Sequence, residues 1–244
     1  MLEDITIVIP TFHRRGLLKD CLRTIEENLP ECSVVVVSDD GVIPQTKNEV
    51  YLPYDSGLTA KRNAGVRAVC TPYTLIGSDD FDFSTPGVRG NTKHMANVLA
   101  VSRVDVIAGR VNNKPYEGYL QYVPGEYIKE RRFNSDIRAF SMEPFYKIDI
   151  AANYFLTRTE VLREIPWDEN IRPIGGEHVD WFLDVKAANK RVFFLPFANI
   201  NTFPYDANKQ DSCYRDLRRR AWQGHELMMK KRNIKRYVTF DENI

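Results

Sequence analysis

Two unbroken runs of apolar residues near the N-terminus constrain the fold more than any other feature of this sequence. Residues 5–9 (ITIVI) and 34–37 (VVVV) are short and rich in β-branched side chains, which favours strands over helices. Between them, apolar residues recur at helical spacing over residues 17–29. Strands that are apolar throughout are typical of a parallel sheet covered on both faces. This region is therefore predicted to be a βαβ unit.

The alternation of strand and helix continues along the chain. Strands are expected at 50–52, 73–77, 104–108 and 192–195, and helices at 59–69, 95–101, 159–164 and from about 177. Residues 112–150 show no clear periodicity and receive no assignment. The pattern predicts an α/β fold with a doubly wound, mainly parallel sheet.

The C-terminal part is polar and basic, and we expect it to be helical over 215–231. Residues 1–205 are predicted to form one α/β domain, with 206–244 as a basic extension. Within it, nine basic residues crowd the stretch 215–236: Arg215, Arg218, Arg219, Arg220, Lys230, Lys231, Arg232, Lys235 and Arg236. They could form a solvated helix, close over a donor diphosphate, or meet a polyanionic acceptor such as DNA.

Composition narrows the class of protein. The 244 residues are 43% hydrophobic and 27% charged, as in globular proteins. The formal net charge is only +1, so the chain as a whole is not expected to attract nucleic acid electrostatically. No apolar run approaches the ~18 residues that a membrane span needs, so a cytoplasmic protein is expected. The four cysteines are far apart, which argues against a zinc ribbon or a thioredoxin-like site.

Acidic pairs follow two of the predicted strands. Asp39 and Asp40 end the second strand, and Asp79 and Asp80 end the strand at 73–77, with Asp82 close behind. Ligands of open α/β sheets bind at the carboxyl ends of the strands. Carboxylates bind Mg²⁺ or Mn²⁺, which commonly complete their shells with water and diphosphate oxygens. The pairs therefore favour a nucleotide-diphosphate site, although a turn and a helix cap would also explain them.

A third acidic cluster lies at 175–180 (GGEHVD). Its two glycines allow the backbone to approach a ligand closely, and Glu177 and Asp180 share one face if a helix begins there. Either carboxylate could be a general base. The alternative is a first-turn acid stabilised by the helix dipole.

The order of these motifs resembles that of GT-A fold, family-2-like glycosyltransferases. The segments that carry the resemblance are 5–12 (ITIVIPTF), 35–41 (VVVSDDG), 59–65 (TAKRNAG), 75–80 (LIGSDD) and 175–180 (GGEHVD). Residues 153–184 also resemble the animal β-1,4-N-acetylgalactosaminyltransferases. The resemblance implies an inverting, metal-dependent transfer of a sugar from a UDP-sugar donor to a hydroxyl-bearing acceptor, which is a glycan or another polymer.

The resemblance also implies roles for individual residues. Five are assigned to the nucleotide: Thr11, Asp39, Arg62, Asn63 and Asp79. Asp80, the last residue of the Ser78–Asp80 stretch that stands in place of a DxD motif, is the expected ligand of Mn²⁺ or Mg²⁺. Because Ser78 replaces the first acid, Asp82 is a further candidate, and His225 is a late one.

The resemblance also places the catalytic base in this cluster, at Asp180 or Glu177, with Asp180 slightly preferred and His178 as a helper. The neutral imidazole of His178 could also serve as the base. Trp167 and Trp181 are expected in the core, with stacking on an acceptor sugar as the alternative.

Three other functions compete with this interpretation. The same chemistry on hydroxymethylated bases in DNA would use the basic, aromatic C-terminus. The stretch 80–84 (DFDFS) superficially resembles the DxDx[ST] motif of haloacid-dehalogenase-like phosphatases, although there it follows the first strand. Since Ser78 and His178 both replace acids, an inactive nucleotide-sugar-binding protein is the third alternative.

Overall fold

A mixed sheet of nine strands organises the described part of the chain. The structure is a computed structural model that describes residues 1–42, 49–114, 116–132, 146–204 and 212–238. The strands of this sheet are β1 (Ile5–Thr11), β2 (Ser33–Ser38), β3 (Glu49–Tyr51), β4 (Tyr73–Ile76), β5 (Phe81–Asp82), β6 (Val106–Val111), β9 (Tyr146–Ile148), β10 (Phe155–Arg158) and β11 (Val192–Thr202). Their order in the sheet is β3-β2-β1-β4-β10-β6-β11-β5, and β9 pairs with β11 beside this path.

Seven helices are described. They are α1 (Arg15–Asn28), α2 (Leu58–Ala68), α3 (Val88–Val101), α4 (Thr159–Glu164), α5 (Glu177–Ala187), α6 (Ser212–Arg219) and α7 (Ala221–Lys231). The sheet separates two apolar clusters, because β1 directs Val8 to one and Ile7 and Ile9 to the other. Both faces are covered, which explains why β1 is buried at all seven positions.

Parallel pairing brings the ends of the first strands to one edge of the sheet. β1 pairs in parallel with β2 on one side and with β4 on the other, so Thr11 lies opposite Ser38 and Val8 opposite Ile76. β10 runs antiparallel between β4 and β6, and β6 pairs in parallel with β11. The predicted α/β class with a mainly parallel sheet is confirmed.

The unassigned middle region contains a second, small sheet. β7 (Gly118–Val123) and β8 (Tyr127–Arg132) form an antiparallel hairpin, and β12 (Arg236–Val238) adds to β8 in parallel. The last described residues of the chain therefore pair with its middle. Pairing between strands so distant in sequence does not produce a local periodic pattern. For this reason no secondary structure was predicted for this region.

The C-terminal region differs in part from expectation. The helix predicted over 215–231 is two helices, α6 and α7, separated at Arg220. The expected division between residues 205 and 206 lies outside the described residues, as do 206–211 and 239–244, so the domain boundary stays a prediction. No helix within the described ranges has the length and apolar character needed to cross a membrane.

Helix α2 lies unusually close to the sheet at Gly65. A Cβ atom built there would lie 2.4 Å from Val8 Cγ1 and 3.1 Å from Val37 Cγ2. Glycine therefore allows α2, which carries Lys61 and Arg62, to pack directly against β1 and β2.

We expect Gly65→Ala to lower the free energy of unfolding by about 1–3 kcal/mol, because the added methyl overpacks the helix–sheet contact. Gly90→Ala is the matched control, since its Cβ would meet no atom within 4 Å in α3. The control should gain up to about 1 kcal/mol from helix propensity. Urea denaturation measures both; equal stabilities would contradict the close packing.

Candidate functional site

A cavity of about 670 Å³ opens at the carboxyl ends of β1 and β4. Thr11 and the Gly77–Asp80 loop form its floor, and Glu177 at the start of α5 lies at one side. Helices α6 and α7 contribute Tyr214 and His225. The cavity therefore lies where an open α/β sheet binds its ligands, with the C-terminal helices as part of its wall.

Asp79 is held by two groups of the chain's first loop. Its side chain is completely buried, and it accepts a hydrogen bond from the Thr11 hydroxyl at 2.7 Å. The Arg14 guanidinium binds both Asp79 oxygens, with Nε 3.2 Å from Oδ2 and Nη2 on Oδ1. Burial raises the pKa of Asp79, and Arg14 and Thr11 oppose that shift. Asp79 is thus internally satisfied, which leaves its neighbour to face the cavity.

Asp80 is the open member of the acidic pair. Its side chain is 24% exposed, and Oδ2 accepts one hydrogen bond, at 3.0 Å, from Arg14 Nη1. The Arg14 guanidinium carbon also lies 4.4 Å from the centre of the Tyr214 ring on α6. Burial by itself would lower the pKa of Arg14, but Asp79 and Asp80 raise it, so the guanidinium stays charged.

The side chains at the cavity suit a divalent metal ion that is also coordinated by a bound ligand. Within the described ranges, no three His, Cys, Asp or Glu side chains come together as a metal cage. Asp80 offers a single carboxylate that faces the cavity, which fits an ion whose other ligands are water and diphosphate oxygens. The described residues therefore fit Mg²⁺ or Mn²⁺ when Asp80 supplies one ligand and water and a diphosphate supply the others.

The two further metal candidates occupy different positions. Asp82 lies in β5, where its carboxylate accepts hydrogen bonds from the Ser84 amide at 2.9 Å and the Ser84 hydroxyl at 2.5 Å; it is not among the residues that line the cavity. His225 lines the cavity and stacks on Tyr237, with ring centres 5.5 Å apart. The geometry thus separates Asp82 from Asp80 and keeps His225 at the cavity wall.

Asp39 forms a buried ion pair beneath the cavity. Its Oδ1 lies 2.5 Å from Lys61 Nζ, and its Oδ2 accepts the Gly57 amide at 3.0 Å. Lys61, which lines the cavity, also donates to the Thr11 carbonyl at 3.2 Å. Burial raises the pKa of Asp39 and lowers that of Lys61, because each charged form has lost its water, while the ion pair opposes both shifts.

Arg62 and Glu177 form a second buried pair, inside the cavity. Arg62 Nη1 lies 3.7 Å from Glu177 Oε1, and the two residues are 3% and 8% exposed. Arg62 Nε and Nη1 and Glu177 Oε2 are buried without a hydrogen-bond partner among the described residues. Unpartnered buried polar atoms are costly, so this pair is the part of the cavity most in need of a polar ligand.

Asn63 binds the protein backbone and does not line the cavity. Its amide donates to the Trp167 carbonyl at 2.8 Å and accepts from the Trp167 amide at 3.0 Å, and it is not among the cavity-lining residues. Trp167 and Trp181 stack in the core with ring centres 4.9 Å apart and exposures of 2% and 1%. The core interpretation of both tryptophans is confirmed, and Asn63 fastens α2 to that core.

Asp180 points away from the cavity, into an ion-pair network with the C-terminal basic residues. It is 2% exposed and accepts hydrogen bonds from Lys231 Nζ at 2.8 Å and Arg232 Nε at 2.6 Å. Asp184 joins the same cations, 2.8 Å from Arg232. The sequence predicted that Glu177 and Asp180 lie on one face of a helix. In the structure Glu177 lines the cavity and Asp180, one turn later in α5, lies behind the cavity wall.

The basic residues of the C-terminal region consequently have different surroundings. Lys231 and Arg232 stabilise α5 through Asp180, and Arg220 forms an ion pair with Asp55. Arg218 of α6 is exposed, and among the nine, all of which the structure describes, it is the one that lines the cavity. Arg218 is therefore the basic residue of this region that is placed to meet a ligand there.

Glycines bring α7 against the loop that precedes Glu177. Gly175 and Gly176 have φ values of 95° and 77°, a conformation that side chains rarely adopt. A Cβ on Gly224 would lie 2.2 Å from the Gly175 carbonyl oxygen. This contact places His225 against the Gly175–Gly176 loop, at the cavity wall.

His178 is held by the backbone. Its Nε2 donates to the Ala151 carbonyl, which requires the proton on that nitrogen. The ring also packs edge-on against Tyr116, which lines the cavity. Nε2 is therefore not the atom that accepts a proton from a substrate.

Sequence reasoning missed Arg14 and Lys61. Both lie at the edge where Asp39 and Asp79 were expected to bind a ligand, and Lys61 stands inside a segment that carried the resemblance. Lysine and arginine are mostly surface residues in folded proteins, so only the contacts of these two with buried carboxylates distinguish them.

The chain resembles known glycosyltransferases in sequence. No family model matches it. It is 29% identical over 189 residues to beta-1,4 N-acetylgalactosaminyltransferase 2 of Mus musculus, which covers 74% of this chain and 36% of that protein. It is 28% identical over 196 residues to beta-1,4 N-acetylgalactosaminyltransferase 1 of Homo sapiens, with 74% and 35% covered. The chain thus spans about a third of the length of these relatives.

Solved structures share the fold. GalNAc-T7 with UDP, GalNAc and Mn²⁺ superposes with a TM-score of 0.63 at 11% identity, covering 84% of this chain and 45% of that one. The mannosyltransferase PcManGT from Pyrobaculum calidifontis, in complex with GDP-Man and Mn²⁺, gives 0.60 at 13% identity, with 93% and 64% covered. The expected GT-A fold is confirmed.

We expect Asp180→Asn to lower the free energy of unfolding by about 2 kcal/mol or more, because it leaves two partly buried cations without their shared carboxylate. Asp184→Asn, which removes a carboxylate that is 35% exposed from the same network, should cost at most about 1 kcal/mol. Chemical denaturation compares the two variants. Equal losses would show that Asp180 does not anchor the C-terminal residues.

Proposed function

We propose that this chain, which has the GT-A fold and resembles β-1,4 N-acetylgalactosaminyltransferases in sequence, transfers a sugar from a UDP-sugar to a hydroxyl group of an acceptor. One observation carries the proposal. Asp80 and Glu177, two carboxylates on different elements, line the same cavity at the carboxyl edge of the sheet, and each retains free acceptor capacity. One suits the donor diphosphate and the other the acceptor hydroxyl.

The donor half of the cavity is the edge formed by β1 and β4. Thr11, Lys61 and Arg14 surround it, and the two cations can offset the negative charge that grows on a leaving diphosphate. A divalent ion held by Asp80 would supply further charge stabilisation there. Asp39, fastened to Lys61 and Gly57, is proposed to contact the nucleoside, and Asp79 to hold Arg14 in place.

Glu177 is the proposed general base, in preference to Asp180. Among the described residues its Oε2 is a buried acceptor without a hydrogen-bond partner, and it lies at the first residue of α5 beside Arg62. Asp180 lacks access to the cavity and is already bound by two cations. Arg62 is accordingly proposed to position Glu177 rather than to bind the nucleotide.

The proposed reaction is a single displacement with inversion. The acceptor oxygen forms a bond to the anomeric carbon while the bond from that carbon to the diphosphate oxygen breaks. The hydroxyl proton passes to Glu177, and the electron pair of the broken bond leaves with UDP.

Two alternatives are weakened by the geometry. A haloacid-dehalogenase-like phosphatase would need Asp80 and Asp82 at one centre, but Asp82 binds Ser84 outside the cavity lining. An inactive nucleotide-sugar-binding protein would not need an unpartnered carboxylate opposite the donor edge. Both remain distinguishable from a transferase by activity.

The acceptor is proposed to approach past α6. Tyr116, Tyr214 and Tyr237 line the cavity and offer surfaces for a sugar ring, and exposed Arg218 favours an anionic group. An acceptor screen should therefore include neutral glycans, acidic glycans and hydroxymethylated DNA. The segment 206–244 is proposed to belong to the same functional unit, because α6 and α7 form part of the cavity wall.

We expect UDP to raise the melting temperature, and Mn²⁺ to increase that shift. A ligand at about 100 times its dissociation constant adds about 2.7 kcal/mol, and each kcal/mol is worth about 2–4 °C in a chain of this size. Asp80→Asn should lose the Mn²⁺-dependent part, whereas the control Asp82→Asn should keep it. Equal shifts with ADP or GDP, or a loss in the control, would contradict the assigned donor site.

We expect Glu177→Gln to lower kcat by about 10²–10⁴-fold with UDP affinity unchanged, because the amide fills the same space but accepts no proton. The screen above supplies the acceptor for this assay. Asp180→Asn is the matched control on the same helix, and it should remain active at temperatures where it is folded. A folded Asp180→Asn variant without activity, or an active Glu177→Gln variant, would overturn the choice of base.

A further inference from the structure

We propose that Arg14 is an internal counter-ion of the Asp79–Asp80 pair, one that competes with a divalent metal ion for Asp80 and is released to the donor diphosphate. The inference rests on the proposed function for the nature of the ligand. It makes Arg14 a donor-binding residue whose Nη1 exchanges Asp80 for the diphosphate between the free and the donor-bound protein.

The two carboxylates hold Arg14 unequally. Asp79 is completely buried and binds Nε and Nη2, in the planar two-point geometry typical of arginine. Asp80 is partly exposed and receives only Nη1, at 3.0 Å. The guanidinium is a rigid plane, so the Asp80 carboxylate can turn away from Nη1 while Nε and Nη2 stay bound to Asp79.

The surroundings of Arg14 favour this exchange, because the side chain already lies at the cavity. The side chain is 11% exposed and lines the cavity, with its guanidinium over the Tyr214 ring. An aromatic face attracts the cation without using any of its N–H groups. The third donor of Arg14 thus faces the same space as the proposed diphosphate.

Charge balance gives Arg14 opposite effects on the two ligands. Arg14 reduces the charge of the Asp79–Asp80 pair from −2 to −1, so it weakens the attraction for a divalent cation and also occupies Asp80 Oδ2. The same positive charge attracts a diphosphate. Removing it should therefore strengthen metal binding in the absence of nucleotide and weaken UDP binding in the absence of metal.

The test measures Mn²⁺ binding by electron paramagnetic resonance on nucleotide-free protein, and UDP binding by calorimetry without metal. We expect Arg14→Gln to bind Mn²⁺ about tenfold more tightly than the wild type and UDP about tenfold more weakly. The double variant Arg14→Gln, Asp80→Asn should lose the gain in Mn²⁺ affinity, which would locate the ion at Asp80.

Arg14→Lys is the second variant, because it keeps a charge beside buried Asp79 if Arg14→Gln does not fold. A lysine cannot bridge two carboxylates as the guanidinium fork does, so Mn²⁺ affinity should rise by a smaller factor. An unchanged or weaker Mn²⁺ affinity in the folded variants would overturn the proposal. Absence of UDP binding in every protein, with the Mn²⁺ gain intact, would instead count against the proposed function.

Discussion

The parallel pairing of β1 with β2 and β4 is the constraint on which the rest of the site depends. Strands that run in one direction end at one edge, so Thr11, Asp39 and Asp79 come together although up to 68 residues separate them. Because both faces of the sheet are covered, that edge is also where polar groups become buried. The fold therefore gathers charge in a region with little water, and each charge requires a partner.

The partners divide the acidic residues into two kinds. Asp39, Asp79 and Asp180 each receive at least two hydrogen bonds from the protein, and such buried, satisfied carboxylates stabilise local structure. Asp80 and Glu177 line the cavity with acceptor capacity to spare. The chemistry that we propose is assigned to the second kind, since a carboxylate with both oxygens already bound by the protein is a poor base and a poor metal ligand, whereas Asp80 and Glu177 each pair with one cation through a single oxygen.

Elements that depend on local sequence patterns could be predicted from the sequence, whereas elements that depend on contacts between distant residues could not. The apolar runs of β1 and β2 and the helical spacing after them are local, and they predicted the α/β sheet correctly. The hairpin β7–β8 pairs with β12, more than a hundred residues away, and left no local trace. The same holds within the candidate site. Asp79 and Asp80 were recognised because they follow a strand, whereas Arg14 can be identified only from its contacts with these two carboxylates.

The sequence by itself determined the fold class, the edge of the sheet that carries the site, and the acidic residues gathered there, because periodicity and strand ends are local properties. Only the tertiary structure decided which of those residues face the cavity. One turn of α5 directs Glu177 inward and Asp180 toward Lys231 and Arg232, and Asn63 turns to Trp167 instead of the cavity. The orientation of a side chain depends on its distant partners, and those partners are set by packing.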